Sequence, residues 1–321
     1  MPTDLTGERE IISVVVPVMN EAESIEAFYE RTSAMLRNMD ASDYELIFVE
    51  DGSRDRTYDI LSAFAAVDPR VRIIKFSRNF GHQVAITAGI DLARGDCIVV
   101  IDADLQDPPE VIPEMVTKWR EGFDVVYGQR IERVGESAFK RQTAALFYRV
   151  LRGVTHMDIP LDVGDFRLMS RRAADHLRAM REKDRFVRGL VSWIGFRQAP
   201  VLYRREARFA GSTKYPFRKM LRFAIDGITS FSTAPLRIAT WFGFAASFLS
   251  FAYIASVPFQ WYFGITVSGF ATIVVSILFL GGVQLICLGI IGEYVGRIYT
   301  ELKPRPMYII EQDVQQHDRS R

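Results

Sequence analysis

From Ile238 to Gly292 the chain has no Asp, Glu, Lys or Arg for 55 residues. All 40 Lys and Arg and all 39 Asp and Glu lie outside that stretch. The mean hydropathy of +0.05 therefore averages two materials, one charged like a globular enzyme and one uncharged. A helix rises about 1.5 Å per residue, so about 20 apolar residues span the core of a bilayer. Ile238–Val257 is one such run, followed by Pro258, and Ile265–Ile291 is a second. The connection Pro258–Gly264 holds Trp261 and Tyr262, which suit a membrane interface. The pattern predicts a two-helix transmembrane hairpin, about 238–257 and 265–291. Arg237 precedes it, and Arg297, Lys303 and Arg305 follow it, so the positive-inside rule puts both termini in the cytoplasm. The expected location is the cytoplasmic (inner) membrane, with a multi-pass topology. A pair of buried helices in a soluble core is the competing reading, and the charge-free length argues against it.

Upstream, Phe217, Met220, Leu221, Ala224, Ile225 and Ile228 recur at helical spacing, with Arg218, Lys219 and Arg222 off the stripe. This predicts an amphipathic helix lying in the cytoplasmic interface, its cations facing anionic lipid. The expected organisation is a catalytic domain over 1–215, an interfacial helix over 216–235, the hairpin over 236–292 and a cytoplasmic tail over 293–321.

Composition excludes several classes. The apolar content excludes disorder, and a net charge of +1 excludes a strongly basic nucleic-acid binder. Cys97 and Cys287 are far apart in apolar runs, which excludes a disulfide scaffold and a zinc site. A single uncharged block is too little for a many-pass transporter. The polar start, Met1–Glu10, does not read as a secretory signal.

In the first half, strand and helix patterns alternate. Strands are expected over 11–17, 44–49, 71–76, 96–101 and 123–127, and helices over 22–39, 57–66, 81–93 and 108–121. A further helix over 137–152 mixes Phe139, Leu146, Phe147 and Val150 with basic residues. Such alternation predicts an α/β fold with a mostly parallel sheet and helices on both faces. Ligands of such sheets bind beyond the carboxyl ends of the strands. Three of those ends are polar: Pro17, Met19, Asn20 and Glu21; Glu50, Asp51, Gly52 and Ser53; and Asp102 to Asp107. Carboxylates crowded there need a cation, and magnesium typically takes one or two carboxylates plus substrate phosphates. No Gly-x-Gly-x-x-Gly follows the first strand and no Gly-Lys-Ser/Thr loop is present, which argues against a dinucleotide dehydrogenase and a phosphate-loop NTPase.

Val-Pro-Val-Met-Asn-Glu (16–21), Val-Glu-Asp-Gly-Ser (49–53) and Asp-Ala-Asp-Leu-Gln-Asp-Pro-Pro (102–109) resemble the family-two, nucleotide-sugar-dependent glycosyltransferases of the GT-A fold. Four further segments resemble the polyprenyl-phosphate branch, which includes dolichyl-phosphate mannose synthase and the bactoprenol glucosyltransferases. They are Tyr-Gly-Gln-Arg (127–130), Asp-Val-Gly-Asp-Phe-Arg-Leu-Met (162–169), Gly-Ser-Thr-Lys-Tyr (211–215) and Gly-Glu-Tyr-Val-Gly-Arg-Ile-Tyr (292–299). The resemblance covers about residues 10–310 and implies a Rossmann-like GT-A domain.

The resemblance also implies roles. Pro17, Met19 and Glu21 would line the nucleoside pocket, and Val49 and Asp51 would contact base and ribose. Asp102 and Ala103 would face the nucleotide. Asp104 and Gln106 would hold Mg2+ or Mn2+ on the diphosphate. Arg130, Arg208 and Lys214 would meet phosphates, and Lys140 and Arg141 are candidates for the lipid phosphate. Met19 stands where the family commonly has tyrosine, and Glu50 replaces a more usual aspartate. Asp165 matches an acidic position of the family's active centre, as a base or as a metal-side or acceptor-positioning group. His82 and His156 are expected to be structural.

The implied reaction is inverting transfer of one sugar from a nucleoside diphosphate, with UDP-glucose the first choice, to polyprenyl (undecaprenyl) phosphate at the cytoplasmic face of the bilayer. The product is β-linked and suited to later cell-envelope glycan modification. UDP-galactose, a UDP-N-acetylhexosamine, GDP-mannose or a modified UDP-pentose are alternative donors. A membrane-anchored transferase with a non-lipid acceptor and a catalytically inactive nucleotide-binding scaffold are alternative functions. A processive synthase is disfavoured because Gln-x-x-Arg-Trp is missing. The family's tendency to oligomers points to a homo-oligomer such as a tetramer.

Overall fold

The computed structural model describes residues 10–39, 43–131, 163–183, 185–206, 234–264 and 269–315. The interfacial helix expected over 216–235, apart from its last two residues, the helix over 137–152, and Lys140, Arg141, Arg208 and Lys214 lie outside the described residues. So does His156. In chain order come β1 (Ile11–Val18), α1 (Ile25–Arg37), β2 (Asp43–Glu50), α2 (Thr57–Val67), β3 (Val71–Phe76), α3 (His82–Leu92), β4 (Cys97–Val100), a 3-10 turn (Pro109–Val111), α4 (Ile112–Arg120) and β5 (Val125–Arg130). They are followed by β6 (Val163–Ser170), α5 (Arg171–Ala179), α6 (Val187–Ile194), β7 (Gln198–Tyr203), α7 (Ala234–Tyr262), α8 (Phe270–Leu302) and β8 (Ile310–Gln315). Two compact units result, one with the sheet, its helices and β8, the other with α7 and α8.

β1 reads Ile-Ile-Ser-Val-Val-Val-Pro-Val and is buried from its second residue onward, as a central strand covered on both faces must be. Ile12, Val14, Val16 and Val18 pack with Phe28 and Leu36 of α1, Leu61 of α2 and Met115 of α4. The opposite face carries Val15, against which α3 packs through Gly89. Helices therefore cover both faces. A Cβ on Gly89 would collide with Cγ1 of Val15, so Gly89→Ala overfills a closed contact. The expected cost is about 1–3 kcal/mol. A thermal melt should show it as a lower midpoint, whereas an unchanged one would mean that α3 does not pack here as described.

The eight strands run in the order β7-β5-β6-β4-β1-β2-β3-β8. β4, β1, β2 and β3 pair in parallel. β6 is antiparallel to both β4 and β5, and β8 is antiparallel to β3. β5 and β7 also pair in parallel, so among the described residues four of the seven pairings are parallel, as expected, and the sheet is mixed through β6 and β8, which the expectation did not include. The cause is that a fully buried strand reads the same whichever way it runs, so the apolar pattern of β6 carries no direction. The tail strand β8 is held on β3 by Arg72–Asp313 (2.7 Å) and Lys75–Glu311 (3.1 Å).

In the second unit α7 runs through Pro258 to Tyr262 instead of stopping there. A proline removes one backbone donor, and a long apolar helix can absorb that loss. α8 continues past Gly292 to Leu302, where Glu293 and Arg297 pair at 3.2 Å one turn apart. Val275–Leu302 is 28 residues long, its most apolar 18 residues have a mean hydropathy of 2.3, and it is long and apolar enough to cross a membrane. The apolar part of α7, Ile238–Tyr253, is shorter than a span. Among the described residues one helix therefore meets the length and composition of a membrane span, where two were expected. Phe244, Phe248 and Phe251 of α7 and Leu285 and Leu288 of α8 are exposed. Cys97 and Cys287 are both free thiols.

Candidate active site

A cavity of about 320 Å³ opens at the carboxyl ends of β1, β2 and β4. It is lined by Pro17, Val18, Met19, Glu21, Asp51, Asn79, Gly81, His82, Ala85, Asp102, Ala103 and Asp104. The chain crosses its rim in two tight loops that pin each other. Asn20 takes a left-handed φ of 56°, which asparagine tolerates. Its amide donates to Ser53 Oγ (3.0 Å), and its side-chain oxygen accepts from Arg54 N (2.8 Å). Gly52, at φ 73°, lies so close to the loop after β3 that a Cβ would stand 2.7 Å from Asn79 N.

Asp51 is buried, and its carboxylate organises that neighbouring loop. It accepts hydrogen bonds from Phe80 N (2.6 Å), Gly81 N (2.9 Å) and Asn79 Nδ2 (2.9 Å). Burial raises its pKa above the ordinary carboxylate value, against the lowering effect of the two amides. Glu21 stands at the entry to α1, where its backbone oxygen and carboxylate both receive bonds from Ser24.

After β4 the burial alternates: Ala103, Leu105 and Asp107 point inward, while Asp102, Asp104 and Gln106 are half-exposed. Leu105, in the middle of this loop, takes a positive φ of 58°, unusual for a bulky residue. Asp104 Oδ1 accepts the Gln106 amide at 3.1 Å. Asp107 is buried beneath, bonded by Tyr203 Oη at 2.5 Å and faced by Arg130 at 3.7 Å and Arg205 at 3.8 Å.

On the far side stands Asp165 of β6, buried and gripped by Arg188 of α6 through Nε (2.8 Å) and Nη2 (2.9 Å). His82 Nε2 lies 3.2 Å from Asp165 Oδ2 and 3.6 Å from Asp102 Oδ1. Burial would raise the pKa of Asp165, but bonds from Arg188 and His82 win and hold it well below the usual range. A carboxylate with both oxygens engaged and a low pKa is a poor proton acceptor. Burial lowers the His82 pKa, and Asp165 and Asp102 outweigh that, leaving it above its ordinary value. Burial pushes Asp102 up to about 6, helped by Asp165, Asp107 and Asp104 and opposed by His82.

Of the residues singled out in the sequence, Pro17, Met19, Glu21, Asp51, Asp102, Ala103 and Asp104 meet around one cavity. Val49 does not line it, because its side chain is wholly buried in the sheet. Gln106, Arg130 and Asp165 do not line it either. Arg130 is turned to Asp107 and Tyr203, the latter at 3.2 Å. The sequence reading missed His82 and Arg188 as members of the site. The only local hint was the position of His82 soon after the end of β3.

Residues 13–178 match the glycosyl transferase family 2, and residues 234–298 match the GtrB C-terminal hairpin. The uncharacterized glycosyltransferase YkcC of Bacillus subtilis (strain 168) is 53% identical over 300 residues, 93% of each chain. The bactoprenol glucosyl transferase of Shigella phage SfV is 44% identical over 305 residues, 95% of this chain and 99% of that one. A crystal structure of glucosyl-3-phosphoglycerate synthase from Mycobacterium tuberculosis, with Mn2+, UDP and phosphoglyceric acid, aligns with a TM-score of 0.48. Its identity is 21%, covering 68% of this chain and 76% of that one.

Proposed function

The chain belongs to glycosyl transferase family 2, and from that membership we propose that it transfers glucose from UDP-glucose to a polyprenyl phosphate at the cytoplasmic face of a membrane. The observation that carries the reading is the pairing, in one chain, of an acidic strand-end cavity with a long exposed apolar helix, in a sequence 44% identical to bactoprenol glucosyl transferases over nearly its full length. The donor is water-soluble, and the acceptor phosphate sits at a bilayer surface. We read α7 and α8 together as a transmembrane hairpin with both ends cytoplasmic, a reading supported by the hairpin-family match across both helices and by the exposed aromatics of α7. Assembly into a homo-oligomer belongs to the same proposal.

The residues present fit a divalent cation such as Mg2+ or Mn2+. Asp102 and Asp104 offer hard oxygen donors, and Asp102 Oδ1 is buried without a hydrogen-bond partner. Among the described residues no cluster of three His, Cys, Asp or Glu forms a cage. That suits an ion completing its shell with diphosphate oxygens and water. Asp104 and Gln106 would hold it. When bound, it offsets charge building on the leaving diphosphate. Asp51, Pro17 and Met19 would then hold the nucleoside.

In the reaction an acceptor phosphate oxygen forms the new bond to the anomeric carbon as the bond to the diphosphate breaks, with inversion. The acceptor is an anion near neutral pH, so no strong general base is required. Asp165, already engaged by Arg188 and His82, serves as a positioning group in this scheme. Membranes holding the chain, given undecaprenyl phosphate, Mg2+ or Mn2+ and a panel of labelled UDP- and GDP-sugars, should label the lipid from UDP-glucose. Labelling from another donor alone would replace the sugar assignment. No lipid labelling by a folded protein would defeat the reading.

A further inference from the structure

Asp102 and Asp165 come from neighbouring antiparallel strands. The β4–β6 ladder ends at the pair Val100–Arg167, and Asp102 and Asp165, each two residues beyond it, lie close enough that one nitrogen of His82 is within 3.6 Å of both. Like charges so placed repel. Arg188 neutralises Asp165 through two bonds, but it leaves Asp102 without such a partner. His82 enters from α3 with one ring nitrogen 3.2 Å from Asp165 and 3.6 Å from Asp102. Its backbone is fixed from the other side, since Phe80 and Gly81, the two residues before it, donate to Asp51. The ring is 46% exposed and lines the cavity, so it is not simply filling a core.

We propose that His82 is a positioning residue for donor binding: held by Asp51 through its backbone and by the Asp165–Arg188 pair through its ring, it places one ring nitrogen between two carboxylates and keeps that of Asp102 turned toward the cavity. Three strand ends, those of β2, β4 and β6, are thereby set as one unit before the nucleotide sugar arrives. His82 touches neither donor nor acceptor in this scheme and works through Asp102. The inference rests on the glycosyltransferase reading of the cavity.

The test uses the full chain in lipid nanodiscs, with His82→Gln, which keeps a hydrogen bond to Asp165 but no cation, and His82→Lys, which keeps a cation. Rates are measured with donor and lipid phosphate varied separately, and UDP binding is measured directly in the presence of Mn2+. His82→Gln should raise the donor KM and weaken UDP binding by about tenfold, the scale of one charge-assisted contact, with the lipid-phosphate KM near wild type. His82→Lys should recover most of that loss. In a cycle with Asp102→Asn the two losses should not add, because they remove one interaction.

Unchanged UDP binding in His82→Gln, a rise confined to the lipid-phosphate KM, or strict additivity with Asp102→Asn would each overturn the proposal. Equal losses in the Lys and Gln variants would overturn the role of a nitrogen group placed between the two carboxylates. Thermal melts guard the comparison: a variant unfolded at assay temperature would mean that His82 is structural and would also overturn it. A wild-type chain that binds no nucleoside diphosphate would instead refute the functional reading beneath it. A wild-type chain that transfers sugar while His82→Gln matches it refutes this inference alone.

Discussion

Asp104→Ala is expected to cut sugar transfer by about two to three orders of magnitude while the sheet unit stays folded. The side chain is half-exposed at the cavity and sits in a loop whose shape is set by buried neighbours, Leu105 and Asp107. Asp107, with its bonds and ion pairs to Tyr203, Arg130 and Arg205, keeps the loop anchored in the variant. The loss falls instead on charge stabilisation of the leaving diphosphate, where removal of one group costs about 3–4 kcal/mol and tenfold corresponds to about 1.4 kcal/mol. Asp104→Asn sharpens the test, since an amide oxygen still accepts the Gln106 N–H but brings no negative charge. Both variants should melt near wild type and both should fail in the lipid-labelling assay. Retained transfer in either would refute the metal assignment.

Asp165→Asn is expected to cost turnover about a hundredfold or more and to destabilise the fold as well. Three donors converge on this carboxylate: Nε and Nη2 of Arg188 and, from the other side, Nε2 of His82. An amide offers one acceptor oxygen and turns its NH2 toward a donor, so at least one contact becomes repulsive. Breaking a buried ion pair costs about 3–5 kcal/mol, and the lower end applies because Arg188 keeps 29% exposure. The pH dependence has a definite sign. The folded pKa of Asp165 lies below its unfolded value, so its stabilisation is complete above the unfolded value, about 3.9, and is lost as pH falls through the folded pKa. Wild type should therefore lose melting temperature more steeply on acidification than Asp165→Asn does. Parallel acid limbs would show that the pair contributes little, and wild-type turnover in the variant would remove Asp165 from the active centre.

Much of the molecule could be read from one dimension. Strand and helix positions in the first half came within a few residues, because the apolar period of 2 or 3.6 is a local property. The acidic loop after β4 was legible for the same reason, since polar residues at the end of an apolar strand need no partner to be noticed. Pro258 shows the limit of local signals. It looked like a helix end, and α7 passes through it because one lost backbone bond is small against a long run of intact ones. Val49 shows another limit: it stands two residues before Asp51, yet it lies within β2 and is wholly buried, whereas Asp51 follows the strand end and lines the cavity.

By itself the sequence determined that this chain is an α/β domain joined to an apolar segment, and where its carboxylates cluster. Both follow from composition and short-range spacing. The tertiary structure alone decided that β6 enters the sheet antiparallel between β4 and β5, and so which residues meet. His82, Asp102, Asp165 and Arg188 are spread over more than a hundred positions and gather only because that strand is inserted there. Burial patterns specify which side of a strand is covered, but they leave open which strand lies beside it and in which direction. That choice belongs to the long-range ladder, and with it comes the pairing that makes Asp165 a held anion rather than a free base.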